Sequence, residues 1–362
     1  MKRILLFLMA FGMLCGCTLA PDDYLETLSQ VNSQLESQGE TSLLGEIGKE
    51  IQVPVIKEEN YPQKLMFCTD ATLLIQQNGE SGPVITKYDP KTQKVIGELS
   101  FGSNEGETGD CFLPLSRQEY YLLLKKADGY RAVLFDESLK IVETIEDIPI
   151  NGYLCQDRQT VVYVENKQLI KSCHLKTGKE TVLFDNDTDG LGGGIWITDF
   201  SQNLISFSST SNPLPGTDSF GYYDLLTGKS LVKQTHRTLL PHSLPGGKVF
   251  FSQEGAAAPP EDNVVLLLDA GTDSEKEIPL NSDRETCYCT VSENGKFVAS
   301  FLPEESRTAL TLYDGVSGQM LYQLDLPPYD FSPENSNQFA VSNDARWAAV
   351  FTGQNVYTYY LG

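Results

Sequence analysis

The sequence predicts an all-β chain wound into a ring of four-stranded blades, a β-propeller. Three observations predict it. From residue 43 onward helical periodicity nearly vanishes, and β-rich runs alternate with turn residues. One hairpin signature recurs along that whole stretch. Two strand-like segments without a local partner stand at its opposite ends.

The hairpin begins at Tyr88-Asp89-Pro90-Lys91-Thr92 and returns at Phe135-Asp136-Glu137-Ser138 and Cys173-His174-Leu175-Lys176-Thr177-Gly178. It comes again at Tyr223-Asp224-Leu225-Leu226-Thr227-Gly228, Leu268-Asp269-Ala270-Gly271 and Tyr313-Asp314-Gly315-Val316-Ser317-Gly318. The chemistry is that of a tight turn: the Asp carboxylate accepts nearby backbone N–H groups, and Gly takes the position with φ > 0. Successive Asp or His174 positions lie 47, 38, 50, 45 and 45 residues apart. That is the period of a blade of four strands.

A second repeat lies upstream of the hairpins. Val291-Ser292-Glu293-Asn294-Gly295-Lys296-Phe297 aligns with Val341-Ser342-Asn343-Asp344-Ala345-Arg346-Trp347, and weaker copies start near Thr198 and Leu154. It reads as an inner strand, a polar turn and a second strand that packs between blades. Six hairpins are complete, and the chain then ends in a strand, Asn355 to Leu361. The alternating segment Gly48 to Ile56 supplies the outer strand of that last blade. Pairing the two ends removes the open edges of the ring and makes seven blades; without it the count is six.

These repeats resemble the WD40-like propellers of bacteria, including the TolB type. The resemblance covers about residues 48–361 and rests on the inner-strand pattern at Ser292 and Ser342 together with the Tyr-Asp hairpins. It implies a fold and transfers no activity, because propellers host many functions.

Ahead of the ring, Lys2-Arg3, an apolar run from Ile4 to Leu14 and Leu14-Cys15-Gly16-Cys17 follow one another. The run is shorter than the ~20 apolar residues that span a bilayer, so it reads as an export signal. The Leu-Cys-Gly-Cys ending resembles the lipobox of bacterial lipoproteins. That resemblance implies cleavage before Cys17, diacylglycerol on its sulfur, and an extracytoplasmic protein tethered to the cell membrane. In a host with two membranes, Thr18 departs from the Asp associated with inner-membrane retention, which favours the outer membrane. The expected organisation is signal peptide 1–16, a lipidated Cys and polar tether or short helix 17–42, and a propeller 43–362. Tyr24, Leu28, Val31 and Leu35 carry the helical spacing in the tether.

The net charge is −22, and losing Lys2 and Arg3 with the leader takes it to −24. Such acidity argues against nucleic acid and against an anionic membrane surface as partners. Six cysteines remain beyond Cys17, most of them in strand-like runs, and they read as buried free thiols. Cys287 and Cys289 are too close in sequence for a relaxed bridge, because they project from one face of an extended strand about 7 Å apart.

Asp185-Asn186-Asp187-Thr188-Asp189-Gly190 matches the start of a calcium loop, in which alternate carboxylates converge on a hard cation and Gly permits the sharp turn. Asp185, Asp187 and Asp189 are therefore the candidate ligands of a structural calcium ion, and no other cofactor is expected. Trp196 stands where a bidentate acid belongs, with Asp199 as a substitute; an ordinary acidic connection between blades is the alternative. No Gly-x-Ser-x-Gly elbow exists, and the only histidines are His174, His236 and His242. His174 occupies a turn position, and His242 lies near an inner strand. Longer connections at Gly102–Asp110, Ser208–Asp218 and Glu254–Asn263 are further places for binding residues. The expected function is a monomeric, membrane-anchored propeller that binds or scaffolds a protein or glycan partner. The alternative is an extracytoplasmic propeller enzyme, lactonase- or lyase-like, with a divalent ion in its channel.

Overall fold

The computed structural model describes residues 47–54, 61–79, 82–101, 108–126, 129–149, 151–186, 194–210, 218–235, 239–244, 248–253, 264–269, 274–279, 288–329, 339–352 and 355–362. The leader with Cys17 and the tether with its helical spacing lie outside these residues. No helix among the described residues is long and apolar enough to cross a membrane.

Seven sheets of four antiparallel strands form the molecule, as the period predicts. Blade 1 comprises β2 (Tyr61–Phe67), β3 (Leu73–Gly79), β4 (Gly82–Asp89) and β5 (Lys94–Ser100). Blade 2 comprises β6 (Thr108–Pro114), β7 (Glu119–Lys126), β8 (Gly129–Asp136) and β9 (Ile141–Ile148). Blade 3 comprises β10 (Tyr153–Leu154), β11 (Thr160–Glu165), β12 (Leu169–His174) and β13 (Lys179–Asp185). Blade 4 comprises β14 (Gly194–Ser201), β15 (Leu204–Thr210), β16 (Asp218–Asp224) and β17 (Ser230–Thr235). Blade 5 comprises β18 (Leu239–Leu244), β19 (Lys248–Gln253), β20 (Val264–Asp269) and β21 (Ser274–Pro279). Blade 6 comprises β22 (Tyr288–Val291), β23 (Phe297–Pro303), β24 (Thr308–Asp314) and β25 (Met320–Leu326).

The seventh blade joins both ends. Its strands run from the axis outward as β26 (Phe339–Val341), β27 (Trp347–Thr352), β28 (Asn355–Tyr360) and β1 (Glu50–Gln52). Glu50, Ile51 and Gln52 pair with Tyr359, Thr358 and Tyr357. Backbone bonds extend the seam on both sides, from Gly48 N to Tyr360 O at 2.9 Å and from Val53 N to Val356 O at 2.8 Å. Polar side chains lock the register: the Tyr329 and Tyr359 hydroxyls both donate to Glu50 Oε2, and Gln52 Nε2 donates to Asn355 Oδ1 at 2.9 Å.

The turns behave as their chemistry requires. Asp89 accepts from Lys91 N and Thr92 Oγ1, Asp224 from Leu226 N and Thr227 Oγ1, and Asp314 from Val316 N. The residue closing the turn has positive φ, as in Gly178 at 64°, Gly228 at 68° and Gly318 at 71°. Hydrogen bonds led by the Ser138 hydroxyl hold the Asp136 carboxyl below the usual carboxylate range. The second repeat also recurs as structure. Ser292 Oγ accepts from Phe297 N, and Ser342 Oγ accepts from Trp347 N, both at 3.0 Å.

Core packing lies between blades. One apolar cluster joins Ile51, Val53, Trp347 and Tyr360 of the closing blade to Leu65, Leu73 and Tyr88 of blade 1. Its neighbour joins Phe339 and Tyr359 to Tyr288 and Phe301 of blade 6. Comparable clusters fill the other junctions. Of the six cysteines beyond Cys17, Cys68, Cys111, Cys155, Cys173 and Cys289 are free thiols, the first, third and fifth of them buried; Cys287 lies outside the described residues.

At the seam, each backbone hydrogen bond is worth about 1 kcal/mol net, whereas fully burying an aliphatic side chain is worth about 1.5–3 kcal/mol. Ile51 and Val53 are 9% and 2% exposed, so their burial contributes at least as much as the short ladder. Ile51→Ala is expected to cost about 2 kcal/mol or more. Deleting residues 1–53 bares the β28 edge and is expected to give concentration-dependent association. Urea unfolding checks the first outcome and size-exclusion chromatography the second.

Candidate functional site in the axial channel

Strand direction alternates within a blade, so the faces of the ring differ. The connections from first to second strand and from third to fourth strand emerge on one face, which carries the tight turns. The connections from second to third strand and from one blade to the next emerge on the other. All three long segments singled out from the sequence leave strand ends on that second face, because they follow β5, β15 and β19. Residues 102–107, 211–217 and 254–263 within them lie outside the described residues.

The seven inner strands surround the axis, which holds two recesses. The one toward the tight-turn face, about 110 Å³, is largely apolar: Phe67, Pro114, Phe200, Val291 and Val341 contribute from five blades, with Glu293 among them. The other, about 190 Å³, is polar and is lined by Gln63, Lys64, Gln76, Asp110, Tyr153 and Asp199, among others. Lys64 and Asp199 reach both.

Backbone irregularity makes the second recess polar. Register slips by one residue between Pro62 and Lys64, between Gly109 and Cys111, and between Ile197 and Asp199. The extra residues are Gln63, Asp110 and Thr198, and all three line the recess. A bulge inserts an unpaired residue and re-aims its side chain. Three inner strands thus turn polar groups toward the axis that regular alternation would not.

Asp199 is held in place. Its carboxylate accepts from Phe200 N at 2.8 Å and from Ser243 N at 3.1 Å, tying blade 4 to blade 5. The Tyr130 hydroxyl donates to Asp110. Burial pushes the Cys111 thiol up to about 12 despite the Lys64 ammonium, so it stays protonated near neutrality and is a poor nucleophile. Burial likewise raises the Tyr153 hydroxyl well above its usual value, with Cys111, Asp199 and Asp110 adding to the effect.

The candidates from sequence fall elsewhere. Asp185 ends β13, the outermost strand of blade 3, while Asp187 and Asp189 lie outside the described residues. Asp199, the substitute ligand, lies in the channel. Trp196 stands near the start of β14, with the Lys167 ammonium 5.9 Å above its ring. Among the described residues no group of three or more His, Cys, Asp or Glu side chains is placed to hold a metal ion. His174 takes the turn role expected of it, its carbonyl accepting from Gly178 N at 2.8 Å. His242 lies on inner strand β18 opposite Phe250. Sequence reasoning missed Lys64, Gln76 and Glu293, and reached Asp110 only as the end of a long connection. The available signal was polar residues interrupting the apolar alternation of an inner strand, as in Gln63-Lys64 and Asp110.

No family model matches the chain, and no curated protein does. Solved structures do. The ring is similar to a chain of Kuenenia stuttgartiensis hydrazine synthase, with TM-score 0.52, 13% identity, and coverage of 85% of this chain and 97% of that one. It is similar to a chain of a mitotic checkpoint complex, with TM-score 0.51, 13% identity, and coverage of 87% and 91%. It is also similar to the RRP9 WD40 repeats, with TM-score 0.51, 11% identity, and coverage of 86% and 97%. At these identities the likeness is one of fold: a WD40-like β-propeller.

Glu293 makes the channel sensitive to pH. Its Oε1 is sealed from solvent without a hydrogen-bond partner. Burial pushes its carboxyl up to about 8, with the Lys64 ammonium offsetting part of the rise and the Glu137 carboxylate adding to it. The unfolded chain releases that proton near 4.5, so from 4.5 to 8 the folded form binds it more tightly. Stability therefore falls as pH rises through that window and levels off above it. Glu293→Gln is expected to abolish the fall and to be the more stable protein at the alkaline end. Urea midpoints of both proteins from about pH 5 to about pH 9 check this.

Proposed function

We propose that this chain is a membrane-anchored, extracytoplasmic lipoprotein whose propeller binds or scaffolds a protein or glycan partner. The observation that carries the reading is the opposition of the two faces. β1 enters its blade from the tight-turn face, beside the end of β28, where Gly48 N bonds to Tyr360 O. The long connections and the polar recess belong to the other face. An anchor at Cys17 therefore pulls from one side of the ring and leaves the opposite side presented to a partner.

Between Cys17 and Ile47 lie 29 residues, numbered 18–46. Fully extended they reach at most about 100 Å, a span that supports contact with envelope-bound partners from a lipid anchor at Cys17. Loops on a rigid scaffold are where binding residues concentrate, and this ring offers such a scaffold. The same architecture occurs in a chain of a mitotic checkpoint complex, which agrees with a scaffold role.

Cys17→Ala is expected to move the protein from the membrane to the soluble fraction without changing its unfolding midpoint. Fractionation followed by thermal unfolding checks this. A variant that stays with the membrane argues against lipidation at Cys17. Crosslinkers placed on the long-connection face are expected to capture a partner that crosslinkers on the hairpin face do not.

A further inference from the structure

The polar recess has an imbalance of hydrogen-bonding capacity. Its acids are already served: Asp199 by two backbone N–H groups, Asp110 by the Tyr130 hydroxyl. Its donors are not. Gln76 is 2% exposed and lines the recess, yet its amide Nε2 is buried with no hydrogen-bond partner. A buried donor left unmade costs about 1–3 kcal/mol, so one that persists needs a reason.

Lys64 is the register partner of Gln76 across β2 and β3. Directly paired residues project from the same face of a sheet with their Cβ atoms about 4.5–5.5 Å apart. The ammonium and the amide thus stand side by side, and both line the recess. This pairing continues the regular ladder of Leu65 with Ile75, Met66 with Leu74 and Phe67 with Leu73, and the bulge at Gln63 comes just before it. Two adjacent donors, one charged, match the two oxygens of a carboxylate. Around them stand an acceptor in Asp110, mixed donor–acceptors in Gln63 and Thr198, and the Tyr153 ring. That surround suits hydroxyl or ammonium groups on the rest of the ligand, and about 190 Å³ suits a molecule of roughly ten to fifteen heavy atoms.

We propose that the recess binds a small, polar organic carboxylate, its carboxylate held by Lys64 and Gln76 and its hydroxyl or ammonium groups facing Asp110 and Thr198. The recess opens on the same face as the long connections but is built at the axis from inner-strand residues, and it does not depend on the anchor. A free small acid and the uronic-acid end of a glycan share this chemistry.

Isothermal titration calorimetry on the full chain in detergent tests it, with D-glucuronate and L-glutamate as probes and D-glucose as the neutral control. At least one acid is expected to bind and glucose is not. Binding by glucuronate alone selects the uronic-acid source, and binding by glutamate selects a free acid. Lys64→Gln is expected to weaken binding about tenfold or more, since a charge-assisted bond becomes a neutral one. Gln76→Glu, which keeps the shape and replaces the donor with a carboxylate, is expected to abolish it. Circular dichroism confirms that each variant is folded, and either variant alone suffices. Failure of both acids to bind the folded wild-type chain overturns the proposal, and so does a folded Lys64→Gln or Gln76→Glu variant that binds as well as wild type. Partner capture on the long-connection face is read separately, so one result can fail while the other stands.

Discussion

Everything in this molecule depends on closing a ring from strands found at the two ends of the described chain. A blade has apolar surface on both faces of its sheet, and only a neighbour on each side covers it. Break the circle at any one junction and two faces are bared at once. The seam between β1 and β28 is where chain continuity cannot enforce the circle, so noncovalent contacts must. Its ladder is short, with three paired residues, and is supported by the burial of Ile51 and Val53 against blade 1 and by two tyrosine hydroxyls on Glu50.

Closure also sets what the axis can be. Seven inner strands converge, and their side chains cannot all pack at the centre, so a channel remains. Toward the hairpin face that space is lined mainly by Phe67, Phe200, Val291 and their apolar neighbours, with Glu293, Lys64 and Asp199 reaching into it. Toward the other face three bulges make it polar. The ring can carry a buried unpartnered amide and a sealed carboxyl because the packing between blades, built from residues such as Trp347, Tyr359 and Phe301, is spread over seven junctions.

The architecture was legible in the sequence because its signals are local and repeated. Asp89, Asp136, Asp224 and Asp314 each specify a tight turn through their own carboxylate, and Ser292 and Ser342 announce the inner turns. Even the terminal pairing was readable, since Gly48 to Ile56 alternates with no local partner. The channel was much less legible. Lys64 and Gln76 meet through the register of β2 on β3, and Gln63, Asp110 and Thr198 reach the recess through bulges; neither register nor a one-residue slip leaves a mark on composition or period. Asp199 looked like a neighbour of Asp185 by sequence distance, yet strand direction carries it to the axis while Asp185 stays on the outer strand. The calcium reading of Asp185, Asp187 and Asp189 rests on spacing alone.

The position of β1 has a mechanical consequence. Any tension on the segment before Ile47 enters the body through this one strand, because β1 is the first element of the ring and lies at the outermost edge of its blade. That tension loads the contacts with β28 first, at Gly48, where the ladder begins. The strand that completes the circle is thus also the one next to the tether, so the seam that closes the ring and the point where a pull on the tether reaches it are the same contacts.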